Sequence, residues 1–178
     1  MKNHKQHGFT IIELLVVVVI IGTLVALAVP QLFAARERAY MGRAMAEFNT
    51  MRTAVALYKE DNDGEYPPDS NRNLPQGLED YIGPNNQISR WPIAPWPGSV
   101  YDYDAFEDEN GEWYYQISIR YCAIGQPETC KFPRAEWARD FDMSSSVYFC
   151  LEGACQAHPH APANHPGYCV NCGNRDDD

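Results

Sequence analysis

From Phe9 to Pro30 the chain is almost continuously apolar, and nothing later in its 178 residues repeats that run. As an α-helix, 22 residues at 1.5 Å each extend about 33 Å, enough for a bilayer core of roughly 30 Å. A different pattern takes over at residues 31–60. Phe33, Tyr40, Ala44, Phe48, Met51, Val55 and Tyr58 are spaced by sevens, fours and threes. They form one stripe of an amphipathic helix, opposite Arg36, Arg38, Arg43, Glu47, Arg52 and Lys59. Asp61-Asn62-Asp63-Gly64 predicts the helix stop and a turn. These residues do not fit a calcium loop, because the further ligands and the distal glutamate are missing. Beyond the turn, Gln76–Ile82 predicts a short second helix ending at Gly83-Pro84. The period then drops to two. Tyr101, Tyr103 and Ala105 alternate with Asp102 and Asp104, and Trp113 to Tyr121 alternates in the same way. Asn110-Gly111 between them is a hairpin turn signal. Val147, Phe149 and Leu151 mark a third strand. The expected head is an antiparallel sheet of three or four strands, its apolar face packed on the helical stripe.

The start of the chain sets its topology. Residues 1–8 are short and basic, so that end should stay in the cytoplasm and the bulk of the chain should lie outside. A secretory signal has a shorter apolar stretch, with its small-residue cleavage site after it. Here the small residue, Gly8, precedes the run. A plain membrane anchor leaves Glu13 unexplained. It is the one charge inside the span, and a carboxylate at that depth costs a few kcal/mol and normally has a partner. No basic residue follows it for 20 positions. A cut between Gly8 and Phe9 would create an α-amino group four residues away. In a helical array, that amine of one subunit meets Glu13 of the next.

Gly8-Phe9-Thr10-Ile11-Ile12-Glu13-Leu14 resembles the processing motif of type IV prepilins and pseudopilins. The resemblance is strong over residues 5–32. It implies cleavage after Gly8 by a prepilin peptidase and N-methylation of Phe9. Glu13 takes the place of the family's assembly glutamate, and Gly22 and Pro30 match its helix-weakening glycine and proline. Physically, glycine costs about 1 kcal/mol and proline roughly 3 within a helix, so the segment between them is able to bend. Tyr58–Pro67, Gln76–Ile82 and Trp91–Tyr103 also resemble pseudopilin segments. The expected fold is therefore an α+β pilin fold with a cysteine-rich C-terminal region. Its expected parts are a leader (1–8), a transmembrane assembly half of the helix (9–30), an amphipathic half (31–60) and a globular head (61–178).

Net charge is −10, and removal of residues 1–8 leaves 12 basic and 24 acidic residues. An acidic surface argues against nucleic-acid binding through a basic face. All six cysteines, Cys122, Cys130, Cys150, Cys155, Cys169 and Cys172, lie after residue 120. In an exported head they read as disulfides, and the count allows fifteen pairings. The local pairs 122–130, 150–155 and 169–172 are simplest, and a cross-strand bond between Cys122 and Cys150 is an alternative. The rival reading is zinc. Cys150, Cys155, Cys169 and Cys172 have the form of a four-cysteine site, with His158, His160 and His165 between them as substitutes. For calcium, the resemblance implies a loop near this part of the fold. The candidates are Asp102, Asp104, Glu107 and Asp108, although no spacing matches and a solvated acidic turn is the ordinary alternative. No catalytic arrangement or phosphate-cradling loop stands out.

The expected function is a structural subunit of a type IV pilus-like surface filament serving adhesion, motility or DNA uptake. The alternative is a pseudopilin of a type II secretion machine. A membrane-anchored receptor or metal-binding domain is the third class. Expected partners are copies of the chain itself, a prepilin peptidase, the membrane before assembly and assembly platform proteins. The expected place is the cytoplasmic membrane with the head outside, then an extracellular filament, or a periplasmic one for a pseudopilin.

Overall fold

A computed structural model describes residues 9–82, 91–108, 110–162 and 164–173. The chain divides into two compact units, one ending at Arg36 and one beginning at Glu37. Helix α1, Ile11–Asp61, contributes to both, and Pro30 lies inside it. In the first unit the apolar side chains from Ile11 to Leu32 are exposed. A Cβ at Gly22 would touch nothing within 4 Å. This helix is long and apolar enough to cross a membrane.

The second unit is the head. It contains the later part of α1 and four strands: β1 (Val100–Glu107), β2 (Trp113–Arg120), β3 (Ser146–Glu152) and β4 (Tyr168–Cys169). The sheet order is β1-β2-β3-β4. The first three strands are antiparallel, as alternation and the Asn-Gly turn predict, but β4 joins β3 in parallel. The reason is topological. The chain leaves β3 at its C-terminal end and crosses back before pairing again, so it returns in the same direction. The sheet is therefore mixed.

The helical stripe supplies the core. Ala44, Phe48, Met51, Ala54 and Val55 are buried. Phe48 meets Tyr101 edge-on at 5.7 Å between ring centroids and lies 5.9 Å from Phe149. Each such large apolar side chain contributes about 1.5–3 kcal/mol on burial. Polar contacts fix the register of helix against sheet. The Tyr101 hydroxyl donates to Glu47, Arg43 donates to the Ile93 carbonyl at 2.7 Å, and the Trp96 indole donates to Glu37 at 2.8 Å. Glu47 and Arg43, expected on the solvent face, thus flank the packing surface. At the end of α1, Lys59 sits 3.8 Å over the ring of Tyr66, which stacks on Tyr115 at 3.7 Å. Gly64 then ends the helix at φ 87°, its N–H donating to the Lys59 carbonyl at 2.8 Å.

The expected second helix is a single 3-10 turn, Leu78–Asp80. Gly77 before it is left-handed at φ 87°, so the helical conformation cannot extend backwards through that residue. The expected stop at Gly83-Pro84 lies outside the described residues.

Candidate functional site

The first candidate region is the start of α1. Gly8 lies outside the described residues, and Phe9 is exposed beside it. The Thr10 N–H and hydroxyl both donate to Glu13 Oε2 at 2.8 Å, and the Glu13 N–H donates to Thr10 Oγ1 at 3.3 Å. This is a capping box, in which threonine and glutamate three residues apart satisfy the first free N–H groups of a helix. These bonds orient the carboxylate and leave its charge in place. The Thr-x-x-Glu spacing carried the capping signal in plain view.

The second region is the face of the sheet turned away from α1. The alternation of Asp102 and Asp104 with tyrosines reads as a wet face or an acidic turn. The structure corrects this: both aspartates are 5% exposed and sit inside β1. Arg120, 3% exposed, lies on the same face at the end of β2. Its Nε donates to Asp102 at 3.1 Å and one terminal nitrogen to Asp104 at 2.9 Å. Gln116 and Ser118 donate to the same Asp104 oxygen at 3.0 and 3.2 Å. The N–H of Arg72, a residue held at φ 67°, donates to Asp102 at 2.7 Å. Burial, and then the neighbouring Asp104 charge, push the Asp102 carboxyl above its ordinary value, while Arg120 holds it down.

What covers this face is the C-terminal crossover between β3 and β4, here termed the strap. Its Ala157 carbonyl accepts from the other terminal nitrogen of Arg120 and from Ser146 Oγ, both at 2.7 Å. The Gln156 N–H donates to Gln116 at 3.1 Å. Half-buried His158 is held below its usual value by burial and by Arg120. His165 pairs with Asp142 at 2.9 Å. The proline- and histidine-rich segment, expected as a surface coil held by cysteines, is thus the lid of a charged interior.

The six sulfurs form three local disulfides, Cys122–Cys130, Cys150–Cys155 and Cys169–Cys172. The four cysteines of the zinc candidate therefore offer no thiolate. Of the calcium candidates, Asp102 and Asp104 are occupied as described. Asp108 accepts from the N–H groups of Asn110 and Glu112 and from the Tyr114 hydroxyl, at 2.8 to 3.0 Å, and so closes the hairpin. Glu107 is exposed at the end of β1. Among the described residues no group of three or more His, Cys, Asp or Glu is placed to hold a metal ion.

Comparison with known proteins bears on the first region and extends into the head. Residues 3–29 match the family model of the prokaryotic N-terminal methylation motif. The chain is 36% identical over 115 residues to the type II secretion system core protein G of Pseudomonas aeruginosa, covering 58% of this chain and 76% of the relative. The protein of the same name from Escherichia coli is 35% identical over 100 residues, covering 52% and 68%. That of Vibrio cholerae is 36% identical over 113 residues, covering 57% and 73%. No solved structure gives a significant match. An N-terminal methylation motif, a single apolar helix and a head that aligns with these relatives place the chain in the family of type II secretion system core protein G, a type IV pilin-like family.

Proposed function

We propose that this chain is a major pseudopilin: a non-enzymatic subunit clipped between Gly8 and Phe9, methylated at Phe9, and polymerised through the first part of α1 into a periplasmic filament of a type II secretion machine. The carrying observation is that the similarity runs over 115 residues. The shared N-terminal motif covers only residues 3–29, so the head itself resembles that of the secretion relatives. Before assembly, the 22-residue apolar run holds the subunit in the membrane. In the filament, Glu13 neutralises the Phe9 amine of a neighbour and sets the register, and the weak points Gly22 and Pro30 let the helix adapt as it leaves lipid. The capping box already aims the Glu13 carboxylate near the chain's N-terminus, where that amine would be.

The test is a deletion strain complemented with the wild type or with Glu13→Ala. Wild type restores release of exported proteins into the medium, and mass spectrometry finds a mature chain beginning at methylated Phe9. Glu13→Ala is processed and inserted but does not assemble. Intact secretion in the deletion strain, together with loss of cell-surface filaments seen by electron microscopy, would favour the surface-pilus reading instead. The three disulfides in the C-terminal third are the observation behind that second reading.

A further inference from the structure

The strap begins and ends at disulfides. Cys150–Cys155 turns the chain out of β3, and Cys169–Cys172 closes a loop directly after β4. Inside that second loop lies Asn171. Its side chain behaves as one more residue of the sheet, accepting from the Cys150 N–H and donating to the Cys150 carbonyl, both at 2.8 Å. The Val170 N–H donates to the Tyr148 carbonyl at 2.9 Å, continuing the parallel pairing of Val147 with Tyr168 and Tyr148 with Cys169. This two-residue strand and its asparagine hold down the end of the strap. The His165–Asp142 contact, the close packing of Gly167 on Ala157 and the ring of Tyr168 against Trp137, 4.8 Å between centroids, add to this hold. A strand of that length is weak alone. The loop closed by Cys169 and Cys172 presents Asn171 in the geometry that β3 accepts. Cys172 is also the one exposed cysteine; the other five are half-buried or buried.

We propose that Cys169–Cys172 is a redox latch, the site at which an external dithiol–disulfide couple opens and closes the strap over the Asp102–Asp104–Arg120 face. In closing, the Cys172 thiolate attacks the disulfide of the oxidant and forms a mixed disulfide, releasing one thiolate of the oxidant. The Cys169 thiolate then attacks Cys172 Sγ, forms the 169–172 bond and expels the oxidant's second thiolate. Two electrons pass to the oxidant, and two thiol protons pass to water. Opening is the reverse, with an external thiolate attacking the exposed Cys172 Sγ and Cys169 leaving. The consequence is local. The bond spans three positions, and loops that short constrain the whole unfolded chain little. Its loss frees Asn171, the β4 pairing and then the strap, while the helix-packed face of the sheet stays intact.

The experiment uses the full chain in detergent micelles, titrated with dithiothreitol. Differential alkylation and mass spectrometry read which cysteines open. Proteinase K reads the strap, which has no lysine or arginine for trypsin. The expected result is that Cys169 and Cys172 are alkylated first, at reductant levels that leave the other two disulfides closed. Under those conditions strap cleavage rises about tenfold or more, as for a locally opened segment. Asn171→Ala gives the same rise without reductant and with its disulfide intact, near-UV circular dichroism confirming a folded head. In the Cys169→Ser/Cys172→Ser variant, reductant no longer changes strap cleavage. The proposal is overturned if another disulfide opens first, or if wild-type strap cleavage is unchanged once Cys169 and Cys172 are reduced. The wild-type titration decides this even if a variant fails to fold, and neither result bears on filament membership.

Discussion

Replacing Arg120 by methionine keeps most of the buried stem and removes the guanidinium. Two carboxylates, each 5% exposed, then lose their cation, and the Ala157 carbonyl loses one of its two donors. Breaking a buried ion pair from one side costs about 3–5 kcal/mol, because the remaining charge is stranded. For a chain of this size each kcal/mol shifts Tm by roughly 2–4 °C, so the expected fall at pH 7.5 is about 6–20 °C. The pH dependence distinguishes stranded charge from lost packing. Burial and Asp104 already raise the Asp102 carboxyl in the folded state, and losing Arg120 raises it further. A carboxyl that holds its proton more tightly folded than unfolded adds stability at low pH and loses it as pH rises through the folded value. Arg120→Met should therefore recover part of its deficit between pH 7.5 and 5. The assay is thermal melting of the full chain in detergent by near-UV circular dichroism. The triple variant Asp102→Asn/Asp104→Asn/Arg120→Met, with no buried carboxylate left to strand, should regain part of the loss at pH 7.5, the nearby Arg72 guanidinium losing its two carboxylate neighbours. A deficit below about 1 kcal/mol, or one that stays constant from pH 5 to 8, would refute the reasoning.

Three further outcomes are expected. Tyr101→Phe removes the buried hydroxyl that donates to Glu47 and should lower stability by about 1–2 kcal/mol in urea unfolding, with little change in m. Gly153→Ala places a Cβ about 2.4 Å from the Tyr114 ring at a residue with φ 82°. It should cost about 1–3 kcal/mol and show first as faster amide exchange in β3 and the strap. Thr10→Val breaks the capping box while keeping the side chain's shape. Processing should persist, and filament assembly should drop less than with Glu13→Ala, measured by quantitative immunoblot of sheared filaments.

The parts of the fold legible in the sequence are those governed by near-neighbour periodicity. The apolar run, the stripe through Phe48 and Val55, and the hairpin around Asn110-Gly111 each repeat at the spacing of a helix or a strand. The N-terminal motif was legible for a different reason: a lone acid in an apolar run demands an explanation whatever the fold. The polar face of the head was not legible. Asp102 and Asp104 alternate as exposed residues do, and only Arg120, 18 and 16 residues further on, makes their burial tolerable. The carbonyl that completes the set belongs to Ala157, another 37 residues along. No local pattern carries such a contact. The parallel β4 was hidden likewise, since two residues have no periodicity to read. Cysteine spacing left the pairing open, and only the positions of the chain segments in space resolve it.

The three disulfides join cysteines 8, 5 and 3 positions apart, in strict order along the chain: first with second, third with fourth, fifth with sixth. A polypeptide threaded outward through a membrane with its N-terminal helix retained delivers its cysteines in that same order. Each one meets its own mate before any stranger has emerged, and the short intervening loop makes that encounter the most frequent one. Of the fifteen ways to connect six cysteines, the structure uses the one that the direction of travel selects. The head can thus complete its covalent framework while still being exported, with no wrong bond to undo.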